Sequence, residues 1–267
     1  MDPGGEPYKK RPDYQEAQVS QEDLKLLPDD RRQVSKRIRT QLLNWIRERD
    51  DDGSPFKLPN EEVLARKLGA SRTGLRDALT VMESEGYITR RRGIGTLVNP
   101  RIARNRTRLD LQMEFGTLIR DQGYVFDFEL LEASFIPENL ECFEEDESRH
   151  LLISKICYAD NQPVVYIEDR LAGSRAAAGE AFLKELRTKS LSGFIVRRLC
   201  IQYAYSFSEL KAVNPSAGIA RLLKMDPHLP VLQLSDIDFD YDHRPYKHSS
   251  VFVRTDVIKL NLLRRSL

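Results

Sequence analysis

Apolar residues recur every three or four positions over residues 31–49, and arginine and lysine fill many of the positions between them. This spacing predicts an amphipathic helix that buries one face and exposes the other. The residues of the buried face are Val34, Ile38, Leu42, Trp45 and Ile46. The run Asp-Asp-Asp-Gly at 50–53 is expected to end this helix.

Two further helices are predicted from capping residues. Asn60 is a favourable N-cap for a helix over about 60–68, and Gly69 ends it because glycine adopts left-handed backbone angles at little cost. Ser71 is a favourable N-cap for a third helix over about 72–85. The buried faces consist of Val63, Leu64 and Leu68 in the first of these helices and of Leu75, Ala78, Leu79 and Met82 in the second.

A short helix, a tight turn with a glycine and a second helix that starts with basic residues form the pattern of a helix-turn-helix. Arg72 and Arg76 lie four residues apart, so they share the exposed face of the third helix with Thr73 beside them. In this motif the second helix reads base edges in the major groove, and arginine can bond guanine at two acceptors. The alternative is that both arginines are solvated surface charges.

Residues 87–98 alternate like a β-hairpin, with Arg91-Arg92-Gly93-Ile94-Gly95 as its turn. Such a hairpin with a basic, glycine-rich tip is a wing. The glycines let the backbone approach phosphate or the minor groove closely, and Arg91 and Arg92 neutralise charge there.

The net charge supports a DNA-binding domain only when it is counted separately for each segment of the chain. The 267 residues contain 42 Lys and Arg against 41 Asp and Glu, and this balance alone argues against a nucleic-acid binder. Residues 31–108, however, hold 19 Lys and Arg against 9 Asp and Glu, whereas residues 1–30 (4 against 8) and 109–267 (19 against 24) are acidic. A basic block of domain size is typical of a polyanion site, although charge alone fits a solvated helical surface equally well.

The rest of the chain divides into an extension, a linker and a second domain. Residues 1–30 are rich in proline and glycine and predict a mobile extension, and the four arginines of residues 99–108 follow a turn dipeptide and predict a linker. Beyond it, apolar runs predict strands at 124–135, 151–158, 163–171, 201–213, 230–239 and 246–254, and helices at 109–122, 175–187, 191–199 and 215–223. The predicted fold class is α+β: a winged helix-turn-helix at 31–98, followed at 109–267 by an α+β domain with a central antiparallel sheet.

Longer motifs in the basic block carry a specific resemblance. They are Leu-Pro-Asn-Glu-Glu-Val-Leu-Ala at 58–65, Leu-Gly-Ala-Ser-Arg at 68–72, Leu-Arg-Asp-Ala-Leu at 75–79, Glu-Gly-Tyr-Ile at 85–88 and Arg-Gly-Ile-Gly-Thr-Leu-Val at 92–98. Together they resemble the DNA-binding domain of GntR-family bacterial repressors. By position, the resemblance implies DNA contacts from Ser71, Arg72, Thr73 and Arg76 and from Gly93, Gly95 and Thr96. The family often has Ser-Glu-Arg after the proline, and here Glu62 replaces that arginine, which can touch phosphate.

The element order of residues 109–262 is similar to the UTRA domain of the HutC-type branch of these regulators, a small-molecule sensor with a chorismate lyase-like fold. The clearest matching segments are 158–163, 190–191 and the final hairpin with residues 240 and 244–245. Family members that sense phosphorylated sugars or carboxylates often carry an Arg-x-Arg pair, and the matching positions here are Lys155 and Cys157, so one charge is kept and the other is lost.

Three further residues complete the expected effector site. Ser190, followed by Leu191, starts a predicted helix whose free N–H groups and dipole suit an anionic or hydroxylated ligand, although Ser190 could equally be only an N-cap. Glu168 could bind ligand hydroxyls or amines, but pairing with Lys155 across the hairpin is the favoured role.

Other chemistry is scarce. The four histidines show no metal-ligand spacing and the chain has no Cys-x-x-Cys, so we expect no metal, no cofactor and no catalytic site. Three separated cysteines (Cys142, Cys157 and Cys200), the lack of an apolar leader and the lack of a run of about 18 apolar residues predict a cytoplasmic protein without a membrane span.

The sequence therefore predicts a ligand-responsive bacterial transcription repressor. A homodimer would bind a palindromic double-stranded DNA operator, and a sugar, sugar phosphate, carboxylate or amino-acid derivative would act as effector. Two alternatives stay open. One is a chorismate lyase-like enzyme with a DNA-localising head, and the other is a DNA-binding protein with a degenerate ligand site.

Overall fold

The computed structural model describes residues 31–49, 53–111, 114–137, 140, 142–143, 149–172, 201 and 203–264. The chain forms two compact units that divide between Arg106 and Thr107. Several predictions lie outside the described residues. They are the extension at 1–30, the aspartates at 50–52, the helices at 175–187 and 191–199, and the site residues Ser190 and Leu191.

The N-terminal unit combines helices with a small sheet. Its elements are α1 (Arg31–Glu48), β1 (Phe56–Lys57), α2 (Glu61–Leu68), α3 (Arg72–Ser84), β2 (Ile88–Arg91), β3 (Gly95–Val98) and α4 (Pro100–Arg104). The three antiparallel strands lie in the order β1-β3-β2. The predicted helices and hairpin are confirmed, and β1 is an addition that the sequence pattern did not predict.

The predicted caps of α2 and α3 are confirmed. The side chain of Asn60 accepts a hydrogen bond from the backbone N–H of Val63 at 2.9 Å, and Ser71 accepts one from the N–H of Gly74 at 3.1 Å. Gly69 ends α2 with φ of 60°. Gly69 and Ser71 therefore define the turn between α2 and α3, and this turn lets the apolar faces of both helices contribute to the core of the unit. Its fully buried side chains include Ile38, Leu42, Ile46, Leu64, Leu68, Leu75, Leu79 and Met82.

Residues 99–108 differ from the predicted linker with little core. The side chain of Asn99 caps α4 by accepting from the N–H of Ile102 at 3.3 Å, and Ala103 is fully buried. Arg47 of α1 donates to the carbonyl of Ala103 at 2.7 Å. The first half of this segment is therefore a helix packed on α1. Proline fits the first turn of a helix because the N–H that it lacks would have no partner there.

In the described residues, the C-terminal unit consists of a six-stranded antiparallel sheet with helices. Its elements are α5 (Phe115–Asp121), β4 (Phe126–Ile136), β5 (His150–Ala159), β6 (Gln162–Ala172), β7 (Tyr203–Val213), α6 (Ala217–Leu222), β8 (Val231–Asp240) and β9 (Pro245–Val253). The strand order is β4-β5-β6-β9-β8-β7. The predicted strands are confirmed, and each of their ends lies within two residues of the predicted position. The helix predicted from residue 109 begins only at Phe115, and the preceding residues instead form a parallel β-bridge between Arg108 and Asn261, in which the N–H of Leu109 donates to the carbonyl of Asn261 at 2.8 Å.

The two helices α5 and α6 cover opposite faces of the sheet. Leu118 and Ile119 of α5 pack against a buried set that includes Cys157, Val165 and Val251. Leu222 and its neighbours in and after α6 pack against another set that includes Ile156, Tyr166, Leu223 and Val231. Because side chains alternate along a strand, every residue of β5 and β6 is assigned to one face or the other.

Candidate nucleic-acid interface and effector region

The predicted DNA-reading residues lie on the exposed face of α3. Leu75, Leu79 and Met82 are buried, and the helix therefore turns Arg72, Thr73 and Arg76 to the surface. The side chains of Arg72 and Arg76 are 69% and 68% exposed. Ser71 stands at the start of the same face, where its hydroxyl already serves as the N-cap.

Both arginines are paired with glutamates in the first turn of α2. Arg76 Nε donates to Glu61 Oε2 at 2.7 Å, and Arg72 Nη2 lies 3.1 Å from Glu62 Oε1. The hydrogen bond with Glu61 raises the pKa of Arg76 above its ordinary value. These pairs were not expected, because the sequence gives no periodic signal that relates a residue of α2 to one of α3.

The predicted wing is the hairpin of β2 and β3. Arg91 is opposite Gly95 in the register, and Arg91, Arg92 and Gly93 are exposed. Gly95 has φ of 113°, and a Cβ atom there would lie 2.6 Å from Lys57 Cε. The backbone angle therefore favours glycine at residue 95, whereas the contact with the far end of the flexible Lys57 side chain could be relieved by movement of that side chain. Thr96 is half-buried, and its carbonyl accepts from the N–H of Leu58 at 2.8 Å.

Arg90, which the sequence pattern did not single out, connects the β2–β3 hairpin to α3. Its Nη2 lies 3.3 Å from the carbonyl oxygen of Arg76 and 3.2 Å from Thr80 Oγ1. Its backbone N–H donates to Glu83 Oε1 at 2.8 Å. The structure thus brings the nine predicted DNA-binding residues onto two elements that are bonded to each other through Arg90.

In the second unit, the predicted pairing of Lys155 with Glu168 is wrong. Lys155 Nζ lies 3.6 Å from Asp169 Oδ2, whereas Glu168 accepts from the hydroxyl of Tyr166 at 2.7 Å and lies 3.4 Å from Arg170. The cause is a register shift between Cys157 and Tyr158. A bulge inserts one extra residue and moves the following side chains to the other face.

This shift also places Glu168 on the opposite face of the sheet from Lys155 and Cys157, with which it was expected to form one effector site. Lys155 is opposite Ile167, so it shares a face with Asp169, and Glu168 lies on the other face. Cys157 is 2% exposed and belongs to the apolar set under α5. Burial raises the pKa of its thiol to about 11. Cys157 is therefore part of the core in this structure, on the same face as Lys155.

A buried charge network occupies the face that carries Lys155. Asp169 is 3% exposed, and Lys247 Nζ lies 3.6 Å from Asp169 Oδ1 and 3.0 Å from Asp238 Oδ2. The hydroxyl of Ser249 donates to Asp169 at 2.6 Å. Burial alone would raise the pKa of Asp169, but Lys247, Lys155 and this hydroxyl outweigh it and hold the pKa below its ordinary value.

Comparison with known proteins agrees with this architecture. Residues 34–98 match the bacterial regulatory proteins of the gntR family, and residues 122–259 match the UTRA domain. Within the described ranges, every helix is too short or too polar to cross a lipid bilayer.

Individual relatives are regulators. The chain is 32% identical over 114 residues to the uncharacterised HTH-type transcriptional regulator YurK of Bacillus subtilis. This match covers 41% of this chain and about half (46%) of the length of YurK. It is 24% identical to the HTH-type transcriptional regulator GgaR of Escherichia coli over 75% of this chain and 79% of GgaR. In fold it is similar to a possible transcriptional regulator, YydK of Bacillus subtilis, with a TM-score of 0.68 at 18% identity over 87% of this chain and 99% of YydK. Because the UTRA match spans more than half of the 267 residues, the chain belongs to the family of proteins with a UTRA domain, and this domain follows an N-terminal unit that matches the gntR-family helix-turn-helix regulators.

Proposed function

We propose that the chain is a transcription repressor that binds a near-palindromic DNA operator as a homodimer. The observation that carries this proposal is the exposed basic surface of α3 and the wing. It lies within a block with 19 Lys and Arg against 9 Asp and Glu. Membership of a family of regulators removes the enzyme alternative.

Dimerisation follows from how such a surface reads DNA. One recognition helix covers one half-site in the major groove, and two-fold operators match two-fold proteins with half-sites about one helical turn apart. The second unit supplies the effector site of the proposal. An effector changes operator affinity only by binding the two states of the dimer with different affinity.

Salt dependence tests the DNA-binding part of the proposal. The full chain is titrated against a duplex from the region upstream of its own gene at increasing salt concentrations. We expect the logarithm of the affinity to fall steeply and linearly with the logarithm of the salt concentration, by about 0.9 per phosphate neutralised. A flat line would contradict a phosphate-binding surface, and binding independent of sequence would contradict an operator.

A second candidate function is that of a DNA-binding protein without a functional effector site. Two observations favour it: Lys155 is already paired with Asp169, and Cys157 is in the core. A thermal-shift screen of sugars, sugar phosphates, carboxylates and amino-acid derivatives separates the two. We expect one chemical class to raise the midpoint of the C-terminal unit, because a ligand that binds only the folded state stabilises it. No shift with any class, together with unchanged operator affinity, would support the effector-free protein.

A further inference from the structure

The two arginines of α3 engage their glutamates through different nitrogen atoms. Arg76 uses Nε, which donates to Glu61 Oε2 at 2.7 Å. Arg72 uses the terminal nitrogen Nη2, which lies 3.1 Å from Glu62 Oε1. Glu62 also lies 3.9 Å from Arg66 Nη2. The difference matters because guanine is bound by two N–H groups of one guanidinium fork.

The pair with Glu61 uses only the Nε atom of Arg76. The two terminal amino groups of this guanidinium can therefore bind a second partner. The side chain is also held in place before DNA arrives, so less conformational freedom is lost when the fork binds a base. Glu61 is only 33% exposed, whereas Arg76 is 68% exposed, so the carboxylate is the better fixed of the two groups.

For Arg72 the pair has the opposite consequence. Nη2 is part of the fork that a guanine or a phosphate would need, and the carboxylate of Glu62 occupies it. In a helix-turn-helix the first helix crosses the DNA backbone. Glu62 lies in the first turn of that helix and is 62% exposed, so its charge is also presented to the phosphates.

We propose that these adjacent glutamates act on DNA recognition in opposite directions. Glu61 is a positioning residue that presents the fork of Arg76 to a guanine, and Glu62 is a competitor that withholds Arg72 from the DNA. The inference rests on the proposed operator binding. It implies that sequence discrimination depends on Glu61, whereas overall affinity is limited by Glu62.

The test uses the full chain and three variants that each remove one negative charge without changing shape: Glu61→Gln, Glu62→Gln and Glu48→Gln. Glu48 is the control because it is exposed at the end of α1 and its charge belongs to the same unit. Two duplexes of equal length serve as probes. One is enriched from a random pool by the wild-type chain, and the other has a random sequence. Both are titrated at several salt concentrations.

Glu61→Gln is expected to weaken binding to the enriched duplex about tenfold, with random-duplex binding unchanged or slightly tighter, because a bidentate guanine contact provides discrimination of this size. Replacing the contacted guanine by 7-deazaguanine should weaken the wild type and affect Glu61→Gln less. Glu62→Gln should tighten binding to both duplexes about threefold and steepen the salt dependence by about one phosphate. Glu48→Gln should change both affinities by less than about twofold.

Glu61→Asp separates position from charge. It keeps the carboxylate and shortens the side chain, so discrimination should fall although the charge of the unit is unchanged. Circular dichroism and thermal unfolding show for each variant that the fold is kept, and Glu61→Asp carries the test if Glu61→Gln unfolds.

Two results would overturn the inference and leave operator binding intact. One is that Glu61→Gln and Glu62→Gln each change the affinities for both duplexes by no more than Glu48→Gln does. The other is that Glu61→Asp discriminates like the wild type. If instead the wild-type chain enriches no sequence, the proposed function fails and the inference fails with it.

Discussion

Arg76→Ala is expected to weaken operator binding by about tenfold to a hundredfold, and Arg72→Ala by a similar or smaller factor. Both side chains stand on the exposed face of α3, and the loss of a guanidinium that binds guanine at two acceptors costs discrimination of this size. The smaller factor for Arg72 follows from Glu62, which already holds its Nη2. Titration of the enriched duplex in a gel-shift experiment measures both losses.

Arg101→Ala is the matched control for this prediction. Arg101 is an exposed residue of α4 in the same unit, and its removal lowers the net charge equally. It should weaken binding to enriched and random duplexes alike and only slightly. Equal losses for Arg76→Ala and Arg101→Ala on both duplexes would exclude α3 as the recognition helix.

Asp169→Asn is expected to destabilise the C-terminal unit by about 3–5 kcal/mol, because removing one partner of a buried ion pair leaves the charge of the other without compensation. Asp169 is 3% exposed, and its loss leaves Lys155 without the carboxylate at 3.6 Å. Urea unfolding followed by circular dichroism measures the change. Asp242→Asn, at an exposed hairpin residue, should stay within about 0.5 kcal/mol of the wild type.

Asp169 also predicts how the free energy of unfolding changes with pH. The pKa of Asp169 is lower in the folded chain than its ordinary value, so its ionised form stabilises the fold above the unfolded pKa of about 3.9. This contribution is lost as the pH falls through the lower, folded pKa. Acid unfolding should therefore depend less steeply on pH in Asp169→Asn than in the wild type. Equal slopes, or a change in unfolding free energy of less than about 1 kcal/mol, would show that the network is not a stabilising core.

Local patterns predicted most of the fold. The N-terminal unit follows from capping residues such as Asn60 and Ser71, whose hydrogen bonds depend on residues only three positions away. The strands of the second unit follow from apolar runs and alternation. These signals need no knowledge of tertiary packing.

What could not be predicted depends on pairing between distant segments. Strand β1 has two residues, too few for a periodic signal, and it exists because Phe56 and Lys57 pair with β3. The bulge between Cys157 and Tyr158 moves the partner of Lys155 from Glu168 to Asp169. In a regular hairpin that continues the pairing of Ala159 with Gln162, Lys155 would be opposite Tyr166, and Glu168 would be its diagonal neighbour on the same face.

The candidate DNA-binding site also has one feature that the sequence predicts and one that it does not. That Arg72 and Arg76 share one face is fixed by helix geometry alone. Their pairing with Glu61 and Glu62 depends on how α2 and α3 cross, and no sequence spacing specifies it.

The helix α4 determines where one regulator could be recombined with another. A junction after Val98 would cut off the carbonyl that binds Arg47 and the guanidinium by which Arg104 binds the backbone of Arg49 at 2.7 Å. A junction at residues 105–106 keeps both contacts with the N-terminal unit. Exchange of N-terminal units between regulators, by natural recombination or by protein engineering, should therefore keep the packing of α1 intact only when the transferred segment includes α4.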